Sequence, residues 1–140
     1  DNVCSSLIQA CYKLGVKITV ATPRYYPPDA EILKRTHHHA TVTDNAKQAV
    51  KNADVIYTDT WISMGQEKQK VERKRRLVGY QVNAKLLSYA HPQVRIMHCL
   101  PAHRGEEITD SVLDGKHSIV FDQAENRLHV QKAILYLLLK

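Results

Sequence analysis

The chain is organised around the stretch RIMHCLPAHRGEE, which runs from Arg95 to Glu107. It begins as an apolar run with β-strand character, and it breaks at Pro101 into a loop rich in titratable side chains. A buried parallel strand that carries reactive groups at its carboxyl end has this pattern, because open α/β sheets bind ligands in the crevice at that edge. The stretch therefore predicts a central strand with functional residues at its end.

Cys99 is the most nucleophilic side chain in this stretch. The neighbouring His103 and Arg104 supply positive charge, which favours the thiolate over the thiol and predicts a functional cysteine. Cysteine is also a common small hydrophobe at buried strand ends, so both interpretations stay open here. A Cys–His pair with His98 is disfavoured, because adjacent side chains of a strand point to opposite faces.

Apolar strand-like runs alternate with helical patterns along the whole chain. The predicted strands cover residues 17–22, 40–43, 54–60, the run that begins at residue 95, and 118–122. The predicted helices cover residues 3–14, 29–35, 44–52, 66–76, 80–90, 109–113 and 124–140. Each strand is a continuous apolar run, which is typical of parallel sheets that are buried on both faces. We therefore predict one α/β domain over residues 1–140, a Rossmann-like, doubly wound parallel sheet with helices on both faces.

The composition narrows the class of protein. The chain has 140 residues, is 44% hydrophobic and 24% charged, and carries a formal charge of +6. This balance is typical of a globular domain and suits anionic ligands or nucleic acid. Three scattered cysteines argue against a disulfide scaffold and for a reducing compartment, so we expect a cytoplasmic location. No stretch is long and apolar enough for a membrane span, so we expect no membrane partner.

Two short patterns invite binding interpretations that the sequence does not favour. The run His37, His38 and His39 resembles a metal site, but adjacent imidazoles diverge and do not easily share one ion. We expect a solvated helix end there and no metal. Residues 68–76 are strongly basic, but they lack interleaved aromatic residues, so we expect a solvent-facing helix and no nucleic-acid partner.

Polar groups collect at one predicted edge of the sheet. Asp59 lies near the end of the strand of residues 54–60, Cys99 lies at the end of the central strand, and Asn2 stands at a helix N-terminus that belongs to the same edge. The Asp59 carboxylate suits a ligand ammonium, whereas Asn2 and its helix N-terminus suit a carboxylate. These groups together favour an amino acid with an amine as the ligand.

Four segments of the chain resemble the signatures of the ornithine carbamoyltransferase family. They are DTWISMGQE at residues 59–67, HCLPAHRGEE at 98–107, FDQAENR at 121–127 and the opening DNV. The resemblance runs from end to end of this chain and covers the second half of the family's proteins, the ornithine-binding domain. It implies transfer of the carbamoyl group of carbamoyl phosphate to the side-chain amine of L-ornithine, giving L-citrulline and phosphate in arginine biosynthesis, with no cofactor.

The resemblance also implies roles for individual residues on the ornithine side. Asn2, Asp59, Ser63 and Met64 would bind the amino-acid end of ornithine, and the loop that contains Ser63 and Met64 would close over it. Asp59 would act together with Cys99 in catalysis.

On the carbamoyl phosphate side, the resemblance implies that Cys99 and Leu100 meet the reacting groups and that Arg127 helps to hold the phosphate. It further implies a cis bond between Leu100 and Pro101, which proline makes accessible.

The family's phosphate motif, Ser-x-Arg-Thr-Arg, and its His-Pro-x-Gln motif are not found in this chain. The resemblance therefore implies a carbamoyl-phosphate-binding domain as a partner, a homotrimer for the full-length enzyme, and little activity of this chain alone. The strand that normally precedes Asn2 is also absent, so an edge strand of the sheet is expected to be missing. Two alternatives remain open: a carbamoyltransferase for another amine, such as putrescine or acetylornithine, and a non-catalytic amino-acid-binding module.

Overall fold

The computed structural model describes residues 2–62 and 70–140. The helices are α1 (Asn2–Leu14), α2 (Ala30–Arg35), α3 (Ala46–Val50), α4 (Lys70–Leu77), α5 (Ala84–Leu87), α6 (Asp110–Leu113) and α7 (Val120–Leu138), with a 3₁₀ helix at Val78–Tyr80. The strands are β1 (Thr19–Ala21), β2 (Thr41–Thr43), β3 (Val55–Thr58) and β4 (Arg95–His98). Strands and helices alternate as the sequence predicts, so the α/β class is confirmed.

The strands pair in parallel, but not as one continuous sheet. β1 pairs with β2, and Thr19 lies opposite Thr41. β3 pairs with β4, and Thr58 lies opposite His98. Within the described residues these are two separate two-stranded sheets. The apolar pattern of a strand reports its burial but not which strand lies beside it, so the sequence did not reveal this separation.

The predicted strand at residues 118–122 is wrong. Ser118 forms only an isolated parallel bridge with Ile96, supported by a 3.0 Å bond from the Ile119 N–H to the Ile96 carbonyl. The chain then enters α7 at Val120, whose side chain is buried. A short apolar run suits a buried helix start as well as a buried strand, and periodicity alone does not separate the two.

The helix ends follow the local signals of the sequence. Gly15 follows α1 with a φ of +66°, a left-handed conformation that costs glycine little. Asp29 caps α2, because its Oδ1 accepts the N–H groups of Glu31 and Ile32 at 2.8 and 3.1 Å. The predicted helix over residues 80–90 is shorter in the structure, where Asn83 caps α5 through its side chain.

The main core surrounds β3 and β4. Ile96 of β4 and Ile108 after the central loop are fully buried, and Val82, Val94 and Val120 pack in the same cluster. This burial holds the carboxyl ends of β3 and β4 side by side, which is where the sequence places its candidate functional residues.

Within the described residues, the helices include none that could cross a lipid bilayer.

Candidate active site

The structure brings Asp59 and Cys99 together at the ends of adjacent strands. Because Thr58 lies opposite His98 in the β3–β4 register, the next residue of each strand emerges at the same edge. The Cys99 Sγ donates a hydrogen bond of 2.8 Å to Asp59 Oδ1. The same oxygen accepts the Thr60 N–H at 2.7 Å, which fixes the carboxylate. The predicted pairing of these two strand ends is confirmed.

The protonation of Cys99 differs from the expectation of a thiolate. Burial, followed by the hydrogen bond to Asp59 and the charge of that carboxylate, raises the pKa of Cys99 to about 12. Cys99 is therefore a neutral thiol that donates to a carboxylate.

The positive groups that the sequence places near Cys99 face other partners. The Arg104 guanidinium forms ion pairs with Asp110 and Asp114 at 2.7 and 2.6 Å. The His103 Nδ1 lies 3.8 Å from a Glu107 carboxylate oxygen. Proximity in sequence did not predict the partners of these side chains, because both pair with carboxylates that follow them in the chain.

Gln123 is a site residue that the sequence analysis did not single out. Its Nε2 donates to the Tyr57 hydroxyl at 3.1 Å, and its Oε1 accepts the His98 N–H at 3.0 Å. Burial raises the pKa of Tyr57, and the neighbouring Cys99 adds to this effect. Gln123 thus joins the first turn of α7 to both strands of the site. Its position within the FDQAENR segment was the only signal in the sequence.

Cys4 of α1 also lies within electrostatic reach of the site. Burial raises the pKa of its thiol, and the Asp59 carboxylate raises it further. The Cys4 thiol of α1 therefore faces the same carboxylate as Cys99.

The turn after Cys99 has an unusual backbone. Leu100 has a φ of +54°, and the bond between Leu100 and Pro101 is cis, as the resemblance implied. The Leu100 N–H donates to His98 Nδ1 at 2.8 Å. The His98 ring is fully buried, and its Nε2 lies 3.1 Å from Glu107 Oε1. A side chain of the strand therefore holds the backbone of the turn that follows it.

The other candidate residues are placed less closely together. Asn2 is exposed at the start of α1, and its Oδ1 accepts the Val3 N–H at 3.0 Å. Arg127 is exposed on α7, one turn beyond Gln123, and it makes no ion pair within the described residues. Ser63 and Met64 lie outside the described residues. The roles of these four residues stay predictions.

The histidine run forms a turn beyond α2. His37 and His38 have φ values of 49° and 54°, and the His39 Nε2 lies 2.8 Å from the Val16 carbonyl oxygen. The part of the chain that the structure describes contains no group of three His, Cys, Asp or Glu side chains arranged for a metal ion.

The basic helix α4 faces its own chain more than the sequence suggests. The Arg73 and Arg76 guanidinium groups lie 4.4 and 3.8 Å from the ring centroids of Tyr26 and Tyr25. Lys74 forms an ion pair with Glu106. The aromatic partners come from a loop about 50 residues earlier in the chain, so the expectation of a wholly solvent-facing helix is corrected.

Comparison with known proteins identifies the family. Residues 1–138 match the family model described as "Aspartate/ornithine carbamoyltransferase, Asp/Orn binding domain". The chain belongs to this family. An ornithine carbamoyltransferase of Archaeoglobus fulgidus is 54% identical over 142 residues, which cover 99% of this chain and 46% of the relative.

Solved structures of family members have the same fold. An ornithine carbamoyltransferase from Pyrococcus furiosus has a TM-score of 0.86 at 48% identity and covers 94% of this chain and 44% of its own. An anabolic enzyme of that name from Campylobacter jejuni has a TM-score of 0.91 at 33% identity, over 96% of this chain and 47% of its own. The chain thus spans about half the length of the relatives it matches.

Proposed function

We propose that this chain forms the ornithine-binding half of an ornithine carbamoyltransferase active site. The observation that carries the proposal is the Asp59–Cys99 pair at the carboxyl ends of β3 and β4, followed directly by the Leu100 turn. The proposed reaction joins the side-chain nitrogen of L-ornithine to the carbonyl carbon of carbamoyl phosphate and breaks the carbon–oxygen bond to phosphate. L-Citrulline and phosphate are the products.

Asp59 is suited to hold an ammonium group of ornithine. Both of its described hydrogen bonds end on Oδ1, so Oδ2 is the oxygen that a ligand ammonium would meet. A charge-assisted hydrogen bond of this kind contributes about 1.5–3 kcal/mol. In the proposal, Asn2 at the start of α1 binds the carboxylate, and Ser63 and Met64 complete the contacts with the amino-acid end.

Cys99 serves as a hydrogen-bonding group rather than as the base. A thiol whose pKa is about 12 already carries its proton near neutral pH, so it cannot accept one from the attacking amine. In the proposal, the departing phosphate takes that proton, and Cys99 and Leu100 position the amine against the carbamoyl carbon. Positioning of this kind supplies most of the remaining acceleration.

Carbamoyl phosphate requires groups beyond this chain. Arg127 is the residue of this chain that we assign to its phosphate. The proposed partner is the carbamoyl-phosphate-binding domain of the same enzyme, assembled as a homotrimer in the cytoplasm and acting in arginine biosynthesis without a cofactor. The 140-residue chain alone is then expected to bind ornithine weakly and to turn over little.

The proposal is tested on the native protein that carries this chain, by calorimetric titration without carbamoyl phosphate and by an assay of citrulline formation with it. We expect L-ornithine to bind more tightly than putrescine or acetylornithine, and citrulline to form. Asp59→Asn should weaken ornithine binding by about 10- to 100-fold, because it removes a charge-assisted hydrogen bond.

The matched control is Asp54→Asn, which makes the same change just before β3, away from the site, and should leave binding unchanged. Preference for another amine would assign the chain to a sister carbamoyltransferase. Ornithine binding without citrulline formation would assign it to the amino-acid-binding modules.

A further inference from the structure

We propose that His98 is a positioning residue that sets the Leu100 turn through one tautomer of its ring. Its Nδ1 accepts the Leu100 N–H, and its Nε2–H donates to the buried carboxylate of Glu107. The assignment of this role in catalysis rests on the proposed function, whereas the tautomer and its effect on the turn do not.

The hydrogen bonds around the ring determine where its proton lies. A backbone N–H can only donate, so the 2.8 Å bond from the Leu100 N–H requires an unprotonated Nδ1. Glu107 Oε1 lies 3.1 Å from Nε2 and accepts as a carboxylate, so Nε2 carries the proton. His98 is therefore held as the neutral Nε2–H form. A proton on Nδ1 would remove the acceptor of the Leu100 N–H.

The Glu107 carboxylate stabilises the His98 ring with its proton on Nε2. Its side chain is fully buried, and its Oε1 also accepts the His103 N–H at 2.5 Å. Its Oε2 has no hydrogen-bond partner within the described residues. A buried carboxylate is costly unless its partners are well oriented. Both hydrogen bonds of Glu107 come from residues on either side of the Leu100 turn, so the carboxylate holds the two ends of that turn together.

The Leu100 turn needs such support. A φ of +54° is unfavourable for leucine, since its Cβ crowds the backbone in the left-handed region. Residues in such a strained backbone conformation persist where contacts with their surroundings fix that conformation, and they cluster at functional sites. An apolar side chain at position 98 would fill the same space in the core but would leave the Leu100 N–H without this acceptor. The polar ring at position 98 thus serves the turn rather than the packing.

Two substitutions separate positioning from packing. The side-chain oxygen of asparagine reaches the place of the histidine Nδ1, whereas the amide of glutamine reaches the place of Nε2. His98→Asn therefore keeps an acceptor for the Leu100 N–H, and His98→Gln keeps a partner for Glu107. We expect the asparagine variant to be the more active one.

In steady-state kinetics of the native protein, we expect His98→Gln to lower kcat about tenfold or more. The KM for ornithine should change less, because the contacts of Asp59 are untouched. His98→Asn should stay within about fivefold of the wild type, since it keeps the hydrogen bond to the turn. If His98 served only to partner buried Glu107, the order of the two variants would be reversed, which would overturn the proposal.

Two further readouts do not depend on activity. In nitrogen-15 NMR of the histidine rings, the wild type should show one pair of signals from a ring with a protonated Nε2 and an unprotonated Nδ1. This pair of signals should be missing from the spectrum of His98→Asn. The rate at which iodoacetamide alkylates Cys99 should rise in His98→Gln and stay near the wild-type rate in His98→Asn. A protonated Nδ1, or equal alkylation rates in both variants, would overturn the proposal. Absence of citrulline formation in the wild type would instead refute the proposed function alone, since both readouts would still decide the role of the ring.

Discussion

At the scale of single residues, the Asp59 carboxylate helps to keep the neighbouring Cys99 thiol protonated. Cys99 and Asp59 are 40 positions apart in the sequence, and their 2.8 Å contact makes the cysteine a proton donor. A cysteine with histidine and arginine nearby in sequence is ordinarily expected to ionise easily. Here burial and the carboxylate act in the opposite direction, so the character of the thiol follows from its spatial neighbours.

The raised pKa of Cys99 predicts an unusual pH dependence of its alkylation. In a Cys4→Ser, Cys11→Ser background, the rate with iodoacetamide should keep increasing above pH 9 and level off only near the pKa of about 12. The thiolate is the reactive form, so the rate follows its population. Asp59→Asn should move the plateau to lower pH, because it removes two of the causes that raise the pKa.

Asp54→Asn is the control for this experiment and should leave the pH profile unchanged. An alkylation rate that levels off below pH 9 would contradict the assignment of a neutral thiol.

The raised pKa of Cys99 also makes the free energy of unfolding depend on pH. The thiol is protonated in the folded state while an unfolded cysteine ionises near pH 8.5, so this contribution to stability is complete below about pH 8.5 and is lost as the pH rises towards 12.

At the scale of elements, α4 is tied to the segment that follows β3. The Arg73 Nε donates to the Trp61 carbonyl at 2.9 Å, and its guanidinium lies over the Tyr26 ring. One arginine therefore joins three parts of the chain: α4, the loop after β1 and the end of the β3 segment. A lysine provides neither the planar face nor the Nε donor.

We predict that Arg73→Ala lowers the free energy of unfolding by about 1–2 kcal/mol, the sum of one hydrogen bond and one cation–π contact. Arg73→Lys should recover only part of this, since it restores the charge alone. Urea denaturation followed by circular dichroism measures the change.

Arg75→Ala is the matched control on the same helix. The Arg75 side chain is 75% exposed and its only ion pair is a 3.8 Å contact with Glu72 within the described residues, so we expect a change below about 0.5 kcal/mol. Equal losses for the two variants would contradict the assigned role of the Arg73 contacts, because alanine favours the helix at least as well as arginine does.

At the scale of the whole molecule, the end of α7 presents apolar side chains to solvent. Leu137, Leu138 and Leu139 are 73%, 77% and 83% exposed, and Ile134 and Leu135 are also exposed. Exposed apolar patches of this kind mark interaction surfaces, and the family resemblance implies a carbamoyl-phosphate-binding domain as a partner.

We predict that the 140-residue chain self-associates through this end of α7. Replacing Leu135 and Leu138 with glutamine should lower its average mass at high protein concentration, because it removes apolar surface from one region. Size-exclusion chromatography with light scattering measures the mass.

Val71→Gln is the control, since Val71 is a comparably exposed apolar residue that belongs to α4 and not to α7. It should leave the mass distribution unchanged. A wild-type chain that stays monomeric at all concentrations would contradict the prediction.

The sequence by itself determined the features that depend on neighbours along the chain. The end of α1 at Gly15 and the cap of α2 at Asp29 follow from conformational preference and from a side chain that reaches the next turn. Parallel pairing follows from continuous apolar strands. Because the carboxyl ends of parallel strands share an edge, the juxtaposition of Asp59 and Cys99 was also predictable.

Only the tertiary structure decided the chemistry of these residues. The neutral thiol of Cys99, the link from Gln123 to Tyr57 across 66 positions and the buried pairing of His98 with Glu107 all depend on groups brought together by packing. The same holds for the choice of helix over strand at Val120, where burial in the core permits either. Protonation, tautomer and pairing are set by distances between atoms in the folded chain, and a local pattern of residues does not contain those distances.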